Sequence, residues 1–241
     1  MPDIVIVGGS IEGLILSILS AKNHNVTLID IHPELGFPCS IPGWLEKKET
    51  LQTYLTDSQI NQLNIFQNNN GFAVSGEWLF KLLTIKAVHA GVNVLLRCRV
   101  TNVEHLDKQI TIQYAGGING GSGEIICNQM FDLTDYCAKS PGNLQHSFTK
   151  TTTKSSKKIM PHKWGGIALS KDCHDHKLQP ILQFFRNDDL CELWFQQKPT
   201  WTPSSGWLET MINTTPSPLI ELSIDNSISY GEHLFESINQ Q

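Results

Sequence analysis

Residues 4–30 restrict the fold of this chain more than any other segment, because they combine two buried strands, a glycine-rich turn and a helix. Ile4–Val7 is a short, fully apolar and β-branched run, which is typical of a buried parallel strand. The turn at residues 8–13 leads into an apolar segment, 14–22, with the length and composition of a helix. Residues 26–29 are predicted to form a second buried strand that ends at Asp30. The segment therefore predicts a βαβ unit, for which a right-handed crossover is expected.

The glycine turn, residues 8–13, matches the phosphate-binding pattern GxGxxG with Ser10 at its second position. In that pattern the first glycine permits a tight turn, and the third lets the helix lie close to the strand. The N-terminus of the helix offers N–H groups and a favourable dipole to phosphates, and an acid after the second strand binds a ribose hydroxyl. The predicted nucleotide-binding residues are Gly8, Gly9, Ser10, Ile11, Glu12, Gly13 and Asp30.

Two other interpretations of the glycine turn stay open. A glycine-rich turn also occurs in doubly wound proteins that bind no nucleotide. Glu12 adds a negative charge to the first helical turn, close to the expected phosphates, although the same position favours an acid for compensation of the helix dipole. The turn is also compatible with NAD(P) as the dinucleotide.

The rest of the chain predicts an α/β fold with a parallel sheet, an antiparallel meander and a β-rich C-terminal section. The expected helices are one or two short ones within 44–64, an amphipathic one at 76–90 and a terminal one at 230–238. The expected strands are 92–96, the meander 99–106, 109–114 and 124–127, a returning strand at 130–134, and the runs 164–169, 178–185 and 190–196. The expected domains are a dinucleotide-binding domain at 1–144, a linker at 145–158 and a β-rich substrate or interaction section at 159–241.

Composition and a few local sequence features restrict the binding partners and the cellular compartment that are expected for this chain. Charged residues make up only 17% of the chain and the net charge is −5, which argues against binding of nucleic acid by broad phosphate neutralisation. The longest apolar stretch, 13–19, is too short to span a bilayer, and the N-terminus lacks the features of a signal peptide. The six cysteines include no CxxC pair. A reducing cytoplasmic location is the expectation.

The run Val7-Gly8-Gly9-Ser10-Ile11-Glu12-Gly13-Leu14 resembles the two-dinucleotide-binding-domain flavoproteins, in particular the para-hydroxybenzoate-hydroxylase-like monooxygenases and the geranylgeranyl-reductase-like enzymes. Further segments resemble successive parts of that group: 34–39, 74–79, 91–103 and 131–134. The resemblance covers residues 1–140 as a pattern and is specific in the first thirty or so. It implies FAD as the cofactor, with the glycine turn at the pyrophosphate and Asp30 at the adenosine ribose. It also implies a backbone contact from Val100 to the adenine edge.

The chain departs from this group at the positions that place the flavin ring. It contains neither the Asp-Gly nor the Gly-Asp dipeptide of the monooxygenases, and it is short for the group. The resemblance implies an FAD-dependent oxidoreductase acting on an apolar or aromatic small molecule, with a substrate or a redox protein as partner. The alternative is a non-catalytic relative that binds a nucleotide or a partner protein. No catalytic acid or base is assigned, and the oligomeric state stays open.

Three further features of the sequence contain residue types that carry chemistry. Cys173-His174-Asp175-His176, with His162, contains residue types that bind zinc, but neighbouring residues on a strand point to opposite faces, so an exposed polar turn without metal is predicted. Cys39 is either close to the flavin or a buried, unreactive thiol. The aromatic residues of the C-terminal half line a ligand pocket or form a β-rich core; they are Trp164, Phe184, Phe185, Trp194, Phe195, Trp201 and Trp207.

Overall fold

A computed structural model describes most of the chain. The described residues are 3–37, 39, 41–106, 109–118, 120–134, 163–174, 179–213 and 223–238. The predicted linker at 145–158 lies outside these residues, as do His162, Asp175 and His176.

The described helices and strands alternate in the N-terminal half, and strands predominate from residue 93 to residue 213. The strands are β1 (Ile4–Val7), β2 (Val26–Ile29), β3 (Trp44–Leu45), β4 (Phe66–Asn68), β5 (Gly71–Ala73), β6 (Asn93–Leu95), β7 (Cys98–Leu106), β8 (Gln109–Gly116), β9 (Gly121–Cys127), β10 (Gln129–Asp132), β11 (Lys163–Leu169), β12 (Leu182–Phe185), β13 (Leu190–Phe195) and β14 (Glu209–Asn213). The α-helices are α1 (Ile11–Ser20), α2 (Asp57–Gln62), α3 (Gly76–His89) and α4 (Ile224–Ile238), and 3-10 helices span Lys48–Thr53 and Ser170–Asp172. The α/β fold class is confirmed.

The chain divides into two compact units. The first contains the described residues of 1–37, 83–156 and 229–241, and the second contains those of 38–82 and 157–228. The predicted boundaries at residues 144 and 158 stay a prediction. The grouping of 38–82 with the C-terminal strands was not expected from the sequence.

A four-stranded parallel sheet with the order β10-β1-β2-β6 forms the centre of the first unit. Every residue of β1 and β2 is buried, which explains why β1 is an uninterrupted apolar run and why Thr27 is the one polar residue of β2. The returning strand β10 lies beside β1 with Ile6 opposite Phe131, as the sequence predicted. Because β2 and β10 lie on opposite sides of β1, the strand order reverses at β1.

The antiparallel meander covers one part of this unit. β8 pairs with β7 and β9, and the ladder between β7 and β8 contains an irregularity between Val100 and Asn102. Side chains of the meander pack with β1 and β10 in a single apolar cluster that includes Val5, Val100, Ile112 and Met130. The predicted meander is confirmed, with each strand slightly longer than expected.

The second unit contains the antiparallel sheet β12-β13-β11-β14 and the small sheet β3-β5-β4. Alternate residues of β13 enter two different clusters. Trp194 packs with Ile167 and Phe184 on one face, whereas Cys191 and Leu193 join the cluster of the other face. The C-terminal aromatic residues are thus part of a β-rich core on both faces of the sheet.

The apolar face predicted for α3 is only partly correct. Leu79, Leu82 and Leu83 are buried, whereas Trp78, Ile85 and Val88 are 57%, 46% and 51% exposed. At 3.6 residues per turn the exposed side chains extend the apolar surface beyond the buried ones, and buried Leu82 lies next to exposed Trp78 and Ile85. The helix therefore carries one broad apolar surface of which only part is buried, and a count of apolar residues at helical spacing does not show which part.

Candidate dinucleotide-binding site

The first and third glycines of the turn are required by close backbone approach. Gly8 has φ of +110°, and a Cβ there would lie 2.9 Å from the carbonyl carbon of Leu133. A Cβ on Gly13 would collide with the carbonyl oxygen of Gly8. The close approach of α1 to the end of β1 therefore depends on Gly13 lacking a side chain, as the glycine pattern predicts, and Gly8 lets the segment after β10 approach the turn.

Ser10 serves as the N-cap of α1 and does not need to be glycine. Its φ of −70° suits any residue, and its hydroxyl oxygen accepts a hydrogen bond from the N–H of Gly13 at 3.3 Å. The cap moves the helix start to Ile11, three residues before the predicted start at Leu14. The hydroxyl proton of Ser10 is still able to donate to a phosphate oxygen. Glu12 is half-buried in the first turn, where its charge complements the helix dipole.

Asp30 lies beside the glycine turn at the carboxyl end of β2. Its carboxylate is buried and accepts a hydrogen bond from the N–H of Gly9 at 2.5 Å through Oδ2. Its backbone continues the sheet, because its N–H donates to the carbonyl of Leu95 and its carbonyl accepts from Cys98. The structure thus brings together the acid after the second strand and the turn after the first, as the sequence predicted.

His32 is a member of this site that the sequence reasoning missed. Both its backbone N–H and its Nδ1 lie within hydrogen-bond distance of Asp30 Oδ1, at 2.7 and 2.8 Å. The hydrogen bond with Asp30 raises the pKa of His32 above its ordinary value, and partial burial of the ring opposes this effect. The sequence Asp-Ile-His could have indicated this contact, because an Asp side chain often accepts a hydrogen bond from the backbone N–H two residues ahead. When the ring is protonated, it places a positive charge next to the Asp30 carboxylate.

Val100 lies in a different environment from the glycine turn. Its side chain is buried in the apolar cluster of the meander, and it is paired with Tyr114 on β8. Only its backbone remains for a ligand contact, and that contact stays a prediction. At the carboxyl end of β10, Asp132 accepts hydrogen bonds from the N–H and the hydroxyl of Thr134.

Cys39 and His174 are the other candidate residues from the sequence that the structure describes. Cys39 is buried, and burial, together with the charges of Glu192 and Glu77, raises its pKa to about 12. His174 stacks on Phe185 with a centroid distance of 5.4 Å. Within the part of the chain that the structure describes, no three His, Cys, Asp or Glu side chains are close enough together to hold a metal ion.

The second unit contains a buried carboxyl group, Glu192, that the sequence analysis did not single out. Its Oε1 accepts hydrogen bonds from the backbone N–H of Gly43 at 3.2 Å and from Nε1 of Trp194 at 2.7 Å. Burial raises its pKa to about 7, although the hydrogen bond from Trp194 and the charge of Arg186 act in the opposite direction. The sequence could have indicated this buried carboxyl group, because Glu192 lies between apolar residues of a predicted strand.

Comparisons with solved structures identify the fold. The chain resembles a geranylgeranyl bacteriochlorophyll reductase-like protein from Thermoplasma acidophilum (TM-score 0.69, 13% identity, 99% of this chain and 79% of that one). It also resembles a flavoprotein/dehydrogenase from Cytophaga hutchinsonii (TM-score 0.65, 12% identity, 100% and 79%) and p-nitrophenol 4-monooxygenase from Pseudomonas putida (0.63, 9%, 99% and 79%). The chain shares their fold. The resemblance to the two-dinucleotide-binding-domain flavoproteins is therefore confirmed for the fold.

These comparisons also limit what the fold implies. No family model matches the chain, and no curated protein matches it. The chain spans about half the length of another structural neighbour, AlpK (52% of that chain, TM-score 0.57). Among the described helices, none is long and apolar enough to cross a membrane.

Proposed function

We propose that this chain is an FAD-dependent oxidoreductase that holds the ADP half of FAD at the glycine turn. The observation that carries the proposal is the position of the Asp30 carboxylate, which lies at the N–H of Gly9 beside the N-terminus of α1. This arrangement lies at the carboxyl ends of the parallel strands, where the strand order reverses at β1. In open α/β sheets, that edge is where nucleotides bind.

The residues of the turn fit the pyrophosphate and ribose of a dinucleotide. Gly8 and Gly13 let neighbouring backbone pack tightly against the turn, which holds the N-terminus of α1 at the end of β1, where the phosphates are expected. Ser10 and the first N–H groups of α1 donate towards the phosphates, and the helix dipole favours the negative charge. Asp30 accepts from a ribose hydroxyl. Bound FAD supplies the redox chemistry, and the chain supplies binding and orientation.

FAD is favoured over NAD(P) by the kind of proteins that share the fold. The structural neighbours include one described as a flavoprotein/dehydrogenase and others described as a monooxygenase and as hydroxylases. An apolar or aromatic small molecule as substrate, and a redox protein as an alternative partner, remain part of this proposal. The second candidate is a non-catalytic nucleotide-binding protein, which is favoured by the absence of the Asp-Gly and Gly-Asp dipeptides.

The first experiment is an absorbance spectrum of the chain purified from a host supplied with riboflavin. The expected result is a pair of flavin bands and the release of FAD on heating, identified by chromatography. The stripped protein is then titrated with FAD, NAD and NADP. Binding of NAD or NADP without FAD would replace the proposed cofactor, and binding of none of the three would refute the proposal. Reduction of bound FAD by NADH or NADPH separates an oxidoreductase from a non-catalytic binder.

A matched pair of variants tests the role of Asp30. Asp30→Ala is expected to weaken FAD binding by ~10- to 100-fold, because a hydrogen bond to a charged group contributes about 1.5–3 kcal/mol. The control is Asp3→Ala, since Asp3 also accepts a backbone N–H, that of Asn25 at 2.9 Å, but precedes β1. Equal losses of affinity in the two variants would show that Asp30 acts only through general stability.

A further inference from the structure

The carboxyl edge of the parallel sheet continues beyond Asp30 into two segments that carry basic side chains. His32, in the segment after β2, lies at hydrogen-bond distance from the Asp30 carboxylate. The carbonyl oxygen of His32 accepts a hydrogen bond from the backbone N–H of Arg97, in the segment after β6, at 3.0 Å. Because the strand order is β10-β1-β2-β6, Asp30 lies between the glycine turn that follows β1 and Arg97.

Arg97 has an unusual backbone conformation, with φ of +57°. The other two non-glycine residues described with a positive φ are Asn64 and Asp189, which are residue types that tolerate the left-handed region. An arginine there is held on both sides, because its N–H donates to His32 and its carbonyl oxygen accepts from Gly117 at 2.8 Å. Residues in such sparsely populated conformations cluster at ligand sites, so Arg97 is a candidate for a binding role.

The side chain of Arg97 is available for such a role. The residue is exposed, and within the described part of the chain its guanidinium takes part in no hydrogen bond or ion pair. The loop between β8 and β9 supports only its backbone, since a Cβ on Gly116 would collide with the carbonyl oxygen of Arg97. A guanidinium is planar, and it stacks on aromatic rings and on nucleobases.

We propose that Arg97 is a further nucleotide-binding residue whose guanidinium stacks on the adenine base of FAD. The inference rests on the proposed function, which puts the pyrophosphate at the turn after β1 and the ribose at Asp30 after β2. The base is the next part of the ADP group, and Arg97 follows the next strand of the sheet, β6. The turn, Asp30 and Arg97 all belong to the first unit.

The test replaces Arg97 by residues that suit its backbone. Arg97→Gly and Arg97→Asn remove the guanidinium and tolerate a positive φ, so neither is expected to lower the Tm. Fluorescence titration with FAD and calorimetric titration with ADP, on full-length protein stripped of flavin, measure the affinity. Both variants are expected to bind both ligands about 3- to 10-fold more weakly than the wild type. Arg97→Lys keeps the charge but not the planar group, and the same loss is expected.

The control is Lys22→Asn, which removes an exposed positive charge just beyond the C-terminal end of α1. The ten residues of α1 separate Lys22 from the glycine turn by about 15 Å, so wild-type affinity is expected.

The outcomes separate this inference from the proposed function. A wild-type protein that binds neither FAD nor ADP would refute the proposed function and the inference together. Binding by the wild type, with unchanged affinity in Arg97→Gly and Arg97→Asn, would overturn the role of Arg97 alone. Full affinity in Arg97→Lys would overturn the stacking contact, because charge would then suffice. An equal loss in Lys22→Asn would overturn it too, because the effect would belong to the net charge.

Discussion

Replacement of Glu192 by glutamine is expected to stabilise the second unit at neutral and alkaline pH. The wild-type side chain is 3% exposed, and one of its oxygens, Oε1, accepts from both Gly43 and Trp194. The amide oxygen of glutamine is able to accept both bonds in the same place. Its NH2 group replaces the second carboxyl oxygen and, like the protonated acid, carries no charge. Glu192→Gln therefore imitates the protonated form of the wild type.

The size of the effect follows from the shift in pKa. Burial raises the pKa of Glu192 from 4.5 to about 7. Each pKa unit corresponds to about 1.4 kcal/mol, so the shift corresponds to about 3 kcal/mol as an order of magnitude. The folded state keeps a proton between these two values that the unfolded state releases. The free energy of unfolding consequently falls as the pH rises from about 4.5 to about 7, and the variant lacks this loss.

Tryptophan fluorescence during urea unfolding measures this prediction, because all six tryptophans lie within the residue ranges of the second unit. At pH 8 the variant is expected to be more stable than the wild type by about 2–3 kcal/mol, and near pH 4.5 the two are expected to agree. Glu124→Gln is the control, since Glu124 is exposed on β9.

The titratable and charged groups that act electrostatically on Glu192 include Arg186 and Glu77, which lower and raise its pKa respectively. Glu209 also has a raised pKa, through burial first and Glu77 second, so some dependence on pH is expected to remain in the variant. Parallel pH profiles for the wild type and Glu192→Gln would refute the assignment of a buried, proton-binding carboxyl group.

Three further predictions concern local structure. Gly13→Ala is expected to lower stability by about 2–4 kcal/mol and to weaken FAD binding, because its Cβ collides with the carbonyl oxygen of Gly8; thermal unfolding and FAD titration measure the two effects. Thr56→Ala is expected to cost about 1 kcal/mol in urea unfolding, because Thr56 and Gln59 form a capping box at the start of α2, and an unchanged midpoint would contradict this. An NMR titration of His32 is expected to give a pKa above 6.5, and this pKa is expected to fall in Asp30→Asn, because the hydrogen bond with Asp30 is the main cause of the rise. The stability that this pair contributes is expected to be lost as the pH rises through the pKa of His32 in the folded protein.

The fold of the first unit was largely predictable because its signals are local. The two strands of the opening βαβ unit consist of β-branched and apolar residues, and the intervening turn has the glycine spacing that such a unit needs. The meander is marked by alternating apolar residues and a glycine-rich loop, so its strands were predicted close to their observed bounds.

The second unit was less predictable because it depends on contacts between distant residues. The hydrogen bond from Gly43 to Glu192 joins positions 149 residues apart, and Asn68 bonds the backbone of Phe185 over 117 residues. No local pattern near Gly43 indicates that this loop packs against a strand in the C-terminal half. The same limit applies to α3, where composition did not show which part of the broad apolar surface is buried.

At the candidate site, Asp30 combines a structural role with the proposed binding role. Three donors already use its two oxygens: Gly9 on Oδ2, and the N–H and Nδ1 of His32 on Oδ1. A carboxylate has about four acceptor positions, so one remains for a ribose hydroxyl. Loss of the carboxylate would therefore loosen the turn at Gly9 and weaken nucleotide binding together. His32→Ala separates the two roles, because it frees an acceptor position on Oδ1 while the bond from Gly9 persists. If Asp30 binds ribose, His32→Ala is expected to retain measurable FAD affinity, whereas Asp30→Ala, at equal folded content, loses most of it.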